Sequence, residues 1–227
     1  MDEGGAMRSV VNLTVHGIGP PGRPFEPDEE LTWVSVERFE QVLDAVAGRE
    51  DVRITFDDGN ASDVEIALPR LLERGLRAEF FVLAGLLGEP GRLDAGGVRE
   101  LVRAGMNVGS HGWAHRDWRR LDPAQARQEL DDSHRVLTGL TGRPVSRVAI
   151  PFGSYDRRVL GRLRRARVSR AYTSDGGRAR PDSWLQPRTS LRHDLDLDWT
   201  RRVLDDRPSL PLRARRIAAR AVKRARG

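Results

Sequence analysis

Short runs of β-branched and aromatic residues recur along this chain and alternate with segments of helical periodicity. The runs predict seven strands, at 10–16, 52–56, 78–83, 107–110, 147–151, 170–173 and 185–191. Strands that alternate with helices in this way build a parallel sheet, because each crossover between parallel strands needs room for a helix. The 227 residues fit one α/β domain. We therefore expect one barrel of the (β/α) kind, closed or incomplete, rather than two domains.

Start and stop signals place helices between the predicted strands. Asp122, followed by Pro123, predicts the start of a long helix that ends at Gly142. Asp94 predicts the start of another helix, and Gly75 the end of an earlier one. In barrels of this kind, the functional residues lie at the carboxyl ends of the strands. Candidate residues are therefore sought there.

The composition limits the chemistry that the chain can perform. The chain is 38% hydrophobic, which is enough for a sizeable core, and it contains no cysteine. The absence of cysteine excludes disulfide scaffolds, thiolate zinc sites and cysteine nucleophiles. Any metal must therefore be held by histidines and carboxylates.

Basic charge is concentrated at the carboxyl end. The net charge is +6, but residues 207–227 carry eight basic residues and no acidic one, so residues 1–206 carry a net charge of −2. We expect 1–206 to form the barrel, with Pro208 and Pro211 ending the fold, and 207–227 to be a basic tail with a helix from Leu212 to Arg226. The tail is expected to be a solvated extension, with contact to an anionic membrane as the functional alternative. No nucleic-acid partner is expected, because the barrel is near neutral.

The amino-terminal residues are acidic and give no signal-peptide pattern, which predicts a cytoplasmic protein.

Two adjacent carboxylates, Asp57 and Asp58, follow the second predicted strand in the run Thr-Phe-Asp-Asp-Gly. Neighbouring strand residues face opposite ways, but a turn at Gly59 can direct both side chains into one pocket. One carboxylate could then bind a cation while the other remains a base. An isolated Asp-Asp-Gly is more often a solvated turn.

Two histidines, His111 and His115, follow the fourth predicted strand in the run Ser-His-Gly-Trp-Ala-His. A histidine pair at this spacing can converge on one metal. Together with Asp58, the pair gives two imidazoles and one carboxylate, which leave a coordination position for water, as in catalytic zinc sites. A structural role, with the ring nitrogens bonded to backbone, is the alternative for the pair alone.

A third run, Pro-Phe-Gly-Ser-Tyr-Asp at 151–156, follows the fifth predicted strand. Proline and glycine around Phe152 indicate a fixed turn whose backbone N–H could face a pocket. An ordinary strand-to-helix turn, with Asp156 capping the next helix, uses the same residues.

These three runs, in this order and spacing, resemble the polysaccharide deacetylases, the NodB-homology or carbohydrate esterase family 4 group, over residues 8 to about 192. The resemblance implies a distorted (β/α)7 barrel and metal-dependent hydrolysis of an N-acetyl or O-acetyl group on a sugar or glycan. It implies Asp57 as the general base. It implies Asp58, His111 and His115 as ligands of a divalent metal, with Zn²⁺ expected.

The chain departs from the common family pattern in two places. The arginine that often precedes Pro-Phe-Gly and steadies the base is replaced by Ala149, and Arg188 is the predicted substitute. For the acid, His16 at the end of the first strand is favoured over His193, because a strand-end imidazole fits a (β/α) site better. The substrate is expected to contact Phe152, Gly153 and Arg188.

Two other functions stay open from the sequence. A cyclic amide could replace the acetylated sugar, because allantoinase-like relatives carry similar motifs. A catalytically silent barrel with a membrane-docking tail is the alternative from another class. The presence of a base beside a metal triad argues against silence. The sequence does not indicate an oligomeric state.

Overall fold

The computed structural model describes residues 9–205 and 210–225. Its strands are β1 (Val10–Val15), β2 (Gly17–Ile18), β3 (Trp33–Val34), β4 (Val52–Phe56), β5 (Ala78–Val82), β6 (Asn107–Ser110), β7 (Arg147–Ala149), β8 (Arg170–Thr173), β9 (Arg178–Ala179), β10 (Leu185–Pro187) and β11 (Thr189–Ser190). All seven predicted strands are present within about two residues of their predicted bounds, and the last is split into β10 and β11.

The main sheet is a nearly closed barrel of parallel strands. Its spatial order is β10, β8, β7, β6, β5, β4, β1 and β11. β10 pairs with β8, whereas β11 pairs with β1, so the split last strand joins the two edges of the sheet. Arg188 lies at the split, and its N–H donates to the Thr173 carbonyl. The predicted (β/α)7 barrel is therefore confirmed.

Helices surround the barrel as the sequence signals predict. They are α1 (Val36–Val46), α2 (Leu68–Glu73), α3 (Ala95–Arg103), α4 (Pro123–Ala126), α5 (Ser133–Thr141), α6 (Arg157–Arg165), α7 (Leu197–Leu204) and α8 (Leu210–Ala225). Asp122 forms a capping box with Gln125 at the start of α4, and Asp94 and Asp156 cap α3 and α6. A π-helical turn, Arg127–Asp132, lies between α4 and α5, and a second one, Asp63–Ala67, precedes α2. These turns are not signalled by the sequence.

The core fills the barrel wall with apolar side chains. Phe56 stacks on Phe80 with ring centroids 4.4 Å apart, and Phe39 of α1 meets Phe56 edge-on. All three rings have no exposed surface. This packing fixes β4 and β5 side by side, and with them the loop that begins at Asp57.

The basic tail contains the helix α8, which lies against the barrel near α6. Residues 206–209 and 226–227, including Pro208, lie outside the described residues, whereas Pro211 lies within α8. Ile217 and Val222 on α8 are exposed. Within the described residues, no helix is long and apolar enough to cross a membrane. Contact between the tail and anionic lipid stays a prediction.

Gly109 on β6 is packed so closely that a larger residue there should destabilise the protein, and Gly139 provides a matched control. A Cβ added at Gly109 would lie 2.6 Å from the Phe81 ring and 2.8 Å from the Arg147 carbonyl oxygen. At Gly139, in α5, an added Cβ meets nothing within 4 Å. We expect Gly109→Ala to lower the free energy of unfolding by about 1–3 kcal/mol, and Gly139→Ala to leave it unchanged or raise it by up to about 1 kcal/mol. Urea unfolding of both variants checks this; equal stabilities would contradict it.

Candidate active site

The carboxyl ends of the barrel strands surround one cavity of about 290 Å³. Its walls include the side chains of His16, Asp57, Asp58, His111, His115 and Phe152. Four loops that are distant in sequence supply these residues, as expected for the carboxyl end of a (β/α) barrel. The cavity therefore brings together the predicted base, the predicted acid and the predicted metal ligands.

Asp57 is buried and held by Arg188. The two carboxylate oxygens each accept a hydrogen bond from the guanidinium at 2.6 Å, and the two side chains are 3% and 1% exposed. Burial opposes ionisation, but the charge of Arg188 and its hydrogen bonds outweigh it and hold the pKa of Asp57 well below its ordinary value. Arg188 lies behind Asp57, outside the set of residues that line the cavity. It is therefore placed to orient the carboxylate, and its predicted contact with the substrate stays a prediction.

Asp58 adopts a left-handed backbone conformation, with a φ of 76°, and Gly59 follows with a φ of 66°. This turn directs both neighbouring carboxylates toward the cavity, as the sequence predicted. The Asp58 side chain is buried, and its Oδ1 accepts no hydrogen bond within the described residues. A buried carboxylate oxygen without a donor is costly unless a cation binds there.

The histidine run places two imidazoles beside Asp58. His111 Nε2 lies 3.4 Å and His115 Nε2 lies 3.7 Å from Asp58 Oδ1. His111 Nδ1 lies 2.9 Å from the Ala149 carbonyl oxygen, which can only accept, so Nδ1 carries the proton and Nε2 presents its lone pair. Burial lowers the pKa of His111 to about 4, although Asp57 and Asp58 oppose this shift. The ring is therefore neutral near pH 7, as a metal ligand must be.

Asp58, His111 and His115 together form a possible metal site. Three ligand atoms, one from each residue, all lie within 4.8 Å of one another. Two imidazoles and one carboxylate are a donor set that suits zinc and related divalent metals, and they leave coordination positions free. The unpartnered Asp58 Oδ1 and the fixed tautomer of His111 both fit a cation at this place.

Glu129, which the sequence did not indicate, supports the histidine run. It lies in the π-helical turn between α4 and α5 and has no exposed surface. Its carboxylate accepts hydrogen bonds from the backbone N–H groups of Trp113 and Ala114 and from the indole of Trp118. His115, the next residue, has a φ of 53°. Glu129 therefore fixes the turn between the two predicted ligands, from a helix position that carries no motif.

The two candidate acids lie in different environments. His16 lines the cavity, and Asn60 anchors it by donating to its carbonyl oxygen at 2.7 Å. The His16 Nδ1 atom is buried and has no hydrogen-bond partner within the described residues. His193 is exposed, and its Nδ1 lies 3.2 Å from the Leu31 carbonyl oxygen. It is not among the residues that line the cavity.

Phe152 and Gly153 take different positions. Phe152, with a φ of 58°, lines the cavity, and its 64% exposed side chain lies against the His115 ring at 4.3 Å between centroids. Gly153 N–H donates to the Ile150 carbonyl within the turn, at 2.9 Å. Gly153 lines a separate cavity on the other side of Phe152. Gly153 is not among the residues that line the cavity with Asp57, so its predicted contact with the substrate stays a prediction.

An acidic loop, also missed from the sequence, forms one side of the cavity mouth. Glu26 and Glu29 line the cavity. Glu29 pairs with Arg23, and Glu26 accepts from Arg92 at 3.1 Å. Arg92 also donates to the Asp58 carbonyl oxygen at 3.4 Å. This network connects the loop to the backbone of the possible metal site.

The family model for polysaccharide deacetylases matches residues 44–171, which is more than half of the chain. The chain belongs to the polysaccharide deacetylase family. It is 26% identical over 144 residues to a chitooligosaccharide deacetylase from Bradyrhizobium, covering 63% of this chain and 62% of that protein. It is also 26% identical over 110 residues to the peptidoglycan-N-acetylglucosamine deacetylase PgdA from Listeria monocytogenes, covering 48% of this chain and 22% of that protein.

The chain spans less than two thirds of the length of either of these relatives. Among solved structures, the deacetylase PplD from Streptococcus pyogenes, in complex with acetate, superposes with a TM-score of 0.74 at 20% identity, covering 88% of this chain and 99% of that one. At this identity the superposition supports the fold alone. The family membership implied by the three sequence motifs is confirmed.

The contacts of Glu129 generate a prediction about metal affinity. In Glu129→Gln, one carboxylate oxygen becomes an NH₂ group that must face N–H donors, so the turn carrying His115 should shift. We expect metal affinity to fall by about 10–100-fold, the usual cost of changing a group that orients a ligand. Titration with Zn²⁺ checks this, with the exposed Glu65→Gln as control. Equal affinities in the two variants would contradict the role.

Proposed function

We propose that this protein is a metal-dependent deacetylase that hydrolyses an N-acetyl or O-acetyl group on a sugar or glycan. The observation that carries the proposal is one cavity in which the Asp57 carboxylate, fixed by Arg188, lies beside the site formed by Asp58, His111 and His115. A buried, oriented base next to a site for a cation is the arrangement that hydrolysis of an acyl group requires. Membership of the family supports the same activity.

Each residue of the site has its own proposed role in the hydrolysis. Asp58, His111 and His115 would hold a divalent cation, with Zn²⁺ expected, which would supply a Lewis acid to polarise the acetyl carbonyl and acidify water. Asp57 accepts the proton from the attacking water, and Arg188 keeps this carboxylate ionised and oriented. The lowered pKa makes Asp57 a weak base, which suffices when the water is already acidified.

The departing amine or alcohol needs a proton, and we assign this role to His16. It lines the same cavity as Asp57, whereas His193 is exposed and outside it. The backbone N–H of Phe152 is the candidate donor to the oxyanion, because the left-handed turn places this residue at the cavity wall.

An N-acetylglucosamine-containing glycan is the proposed substrate. One relative is a chitooligosaccharide deacetylase and another is a peptidoglycan-N-acetylglucosamine deacetylase, and both names imply an acetylated amino sugar. A cyclic amide remains the alternative substrate. Acetate release, which only an acetylated substrate can give, distinguishes the two.

The variants Asp57→Asn and His111→Ala test the role of the base and the role of the metal ligands separately. We expect Asp57→Asn to keep bound zinc and to lower kcat for acetate release from chitooligosaccharides by about 10²-fold or more, because it removes the base. His111→Ala should lose metal and activity together. Elemental analysis and acetate assays check this on the same samples. Normal turnover by Asp57→Asn, or full metal content in His111→Ala, would contradict the assignment.

The acid assignment is tested by a matched pair of variants. His16→Ala should lower kcat by about 10²-fold, because leaving-group protonation loses its donor, while His193→Ala should stay close to the unsubstituted enzyme. Both variants should retain metal. The opposite ranking would transfer the role to His193.

A further inference from the structure

The Phe152 turn is contacted from outside the cavity by the basic tail. The Lys223 ammonium group on α8 donates to the Gly153 carbonyl at 3.3 Å. It also lies 5.1 Å from the centre of the Tyr155 ring. Lys223 is the single lysine of the chain. The tail helix therefore touches the residue that directly follows Phe152.

Asp175 connects Lys223 with the barrel. Its carboxylate pairs with Lys223 Nζ at 2.6 Å and accepts hydrogen bonds from Tyr155 Oη at 2.8 Å and Thr173 Oγ1 at 2.9 Å. The Asp175 side chain is 7% exposed. Although burial works against it, hydrogen bonds from Lys223 and Tyr155 lower the pKa of Asp175. The carboxylate is thus ionised and nearly buried, with Lys223 as its cationic partner.

The same turn is held tightly on its other sides. A Cβ added at Gly153 would lie 2.8 Å from Ser174 Cβ, so the turn packs directly on the loop that carries Asp175. Asp117 and Ser154 line one cavity beside the turn. Phe152 itself has a positive φ, which costs free energy in a residue other than glycine and persists only where the surroundings impose it. Contacts around the turn must therefore supply this free energy.

We propose that Lys223 is a positioning residue of the active site, which holds the Phe152 turn in place through Gly153 and Asp175. The proposal rests on the proposed function, and it makes α8 part of the catalytic unit rather than an appended tail. Lys223 does not line the cavity that contains Asp57, so its effect must pass through Phe152 and Ser174, which line that cavity next to Gly153 and Asp175. Loosening the turn should weaken contact with the substrate while leaving the metal site intact.

Lys223→Met in the full chain tests the proposal, with Arg215→Met as the control, since Arg215 is an exposed base on the same helix. We expect kcat/KM for acetate release from chitooligosaccharides to fall about 10-fold in Lys223→Met, mainly through a higher KM, with unchanged zinc content. Arg215→Met should match the unsubstituted enzyme. A uniform loss of kcat and zinc, or an equal loss in both variants, would overturn the positioning role.

Hydrogen exchange supplies a readout that does not depend on activity. The N–H groups of Gly153 and Ser154 donate within the turn, to Ile150 and Pro151. We expect the segment 150–155 to exchange faster in Lys223→Met and not in Arg215→Met. Unchanged exchange in Lys223→Met would overturn the proposal. Faster exchange in a protein that releases acetate from no glycan would leave the positioning contact standing and reject the deacetylase function alone.

Discussion

Two opposite charges, the Arg188 guanidinium and the Asp57 carboxylate, meet through two hydrogen bonds of 2.6 Å where neither is exposed by more than 3%. Removing two ions from water costs several kcal/mol each, and this cost is recovered only with bidentate geometry. Arg188 lies at the split between β10 and β11, where the last strand passes from one edge of the sheet to the other. The pairing of the last strand therefore both closes the barrel and positions the partner of Asp57. If this strand paired wrongly, Asp57 would be left buried without its partner.

The site also depends on backbone conformations that ordinary residues avoid. Asp58, His115 and Phe152 all have positive φ values, and all three line the cavity. Each is held by contacts from a different part of the chain: Arg92 to the Asp58 carbonyl, Glu129 to the turn before His115, and Lys223 to the residue after Phe152. Strain of this kind persists only where its surroundings impose it. This explains why the cavity is surrounded by polar contacts that take no direct part in the chemistry.

The sequence predicted the strands, the helix starts and the placement of the motif residues, because alternation and capping are local properties of the chain. Asp122 and Asp156 could be recognised as caps from their neighbours alone. Arg188 was anticipated as the partner of Asp57, but its position at the strand split was not, since strand pairing is a long-range property. Glu129 could not be found, because the π-helical turn that directs it inward has no sequence signal. Lys223 was assigned to a solvated tail, because nothing in a basic helix indicates which face meets the barrel.

Two chemically identical neighbours, Asp57 and Asp58, have different partners, and this difference underlies the different roles proposed for them. Arg188 occupies both oxygens of Asp57, so binding a cation there would have to compete with two charge-assisted hydrogen bonds. Among the residues that the structure describes, Asp58 Oδ1 has no hydrogen-bond donor, and it lies nearer to His111 Nε2, at 3.4 Å, than Asp57 Oδ2 does, at 3.8 Å. The left-handed backbone at Asp58 accompanies this difference: the Asp58 side chain lies beside the histidines, whereas the Asp57 side chain meets Arg188. This difference supports the proposed roles, in which a cation binds at Asp58 and Asp57 accepts a proton. Asp57 needs a cationic partner for this difference to arise. Because position 149 is an alanine, Arg188 supplies the positive charge instead.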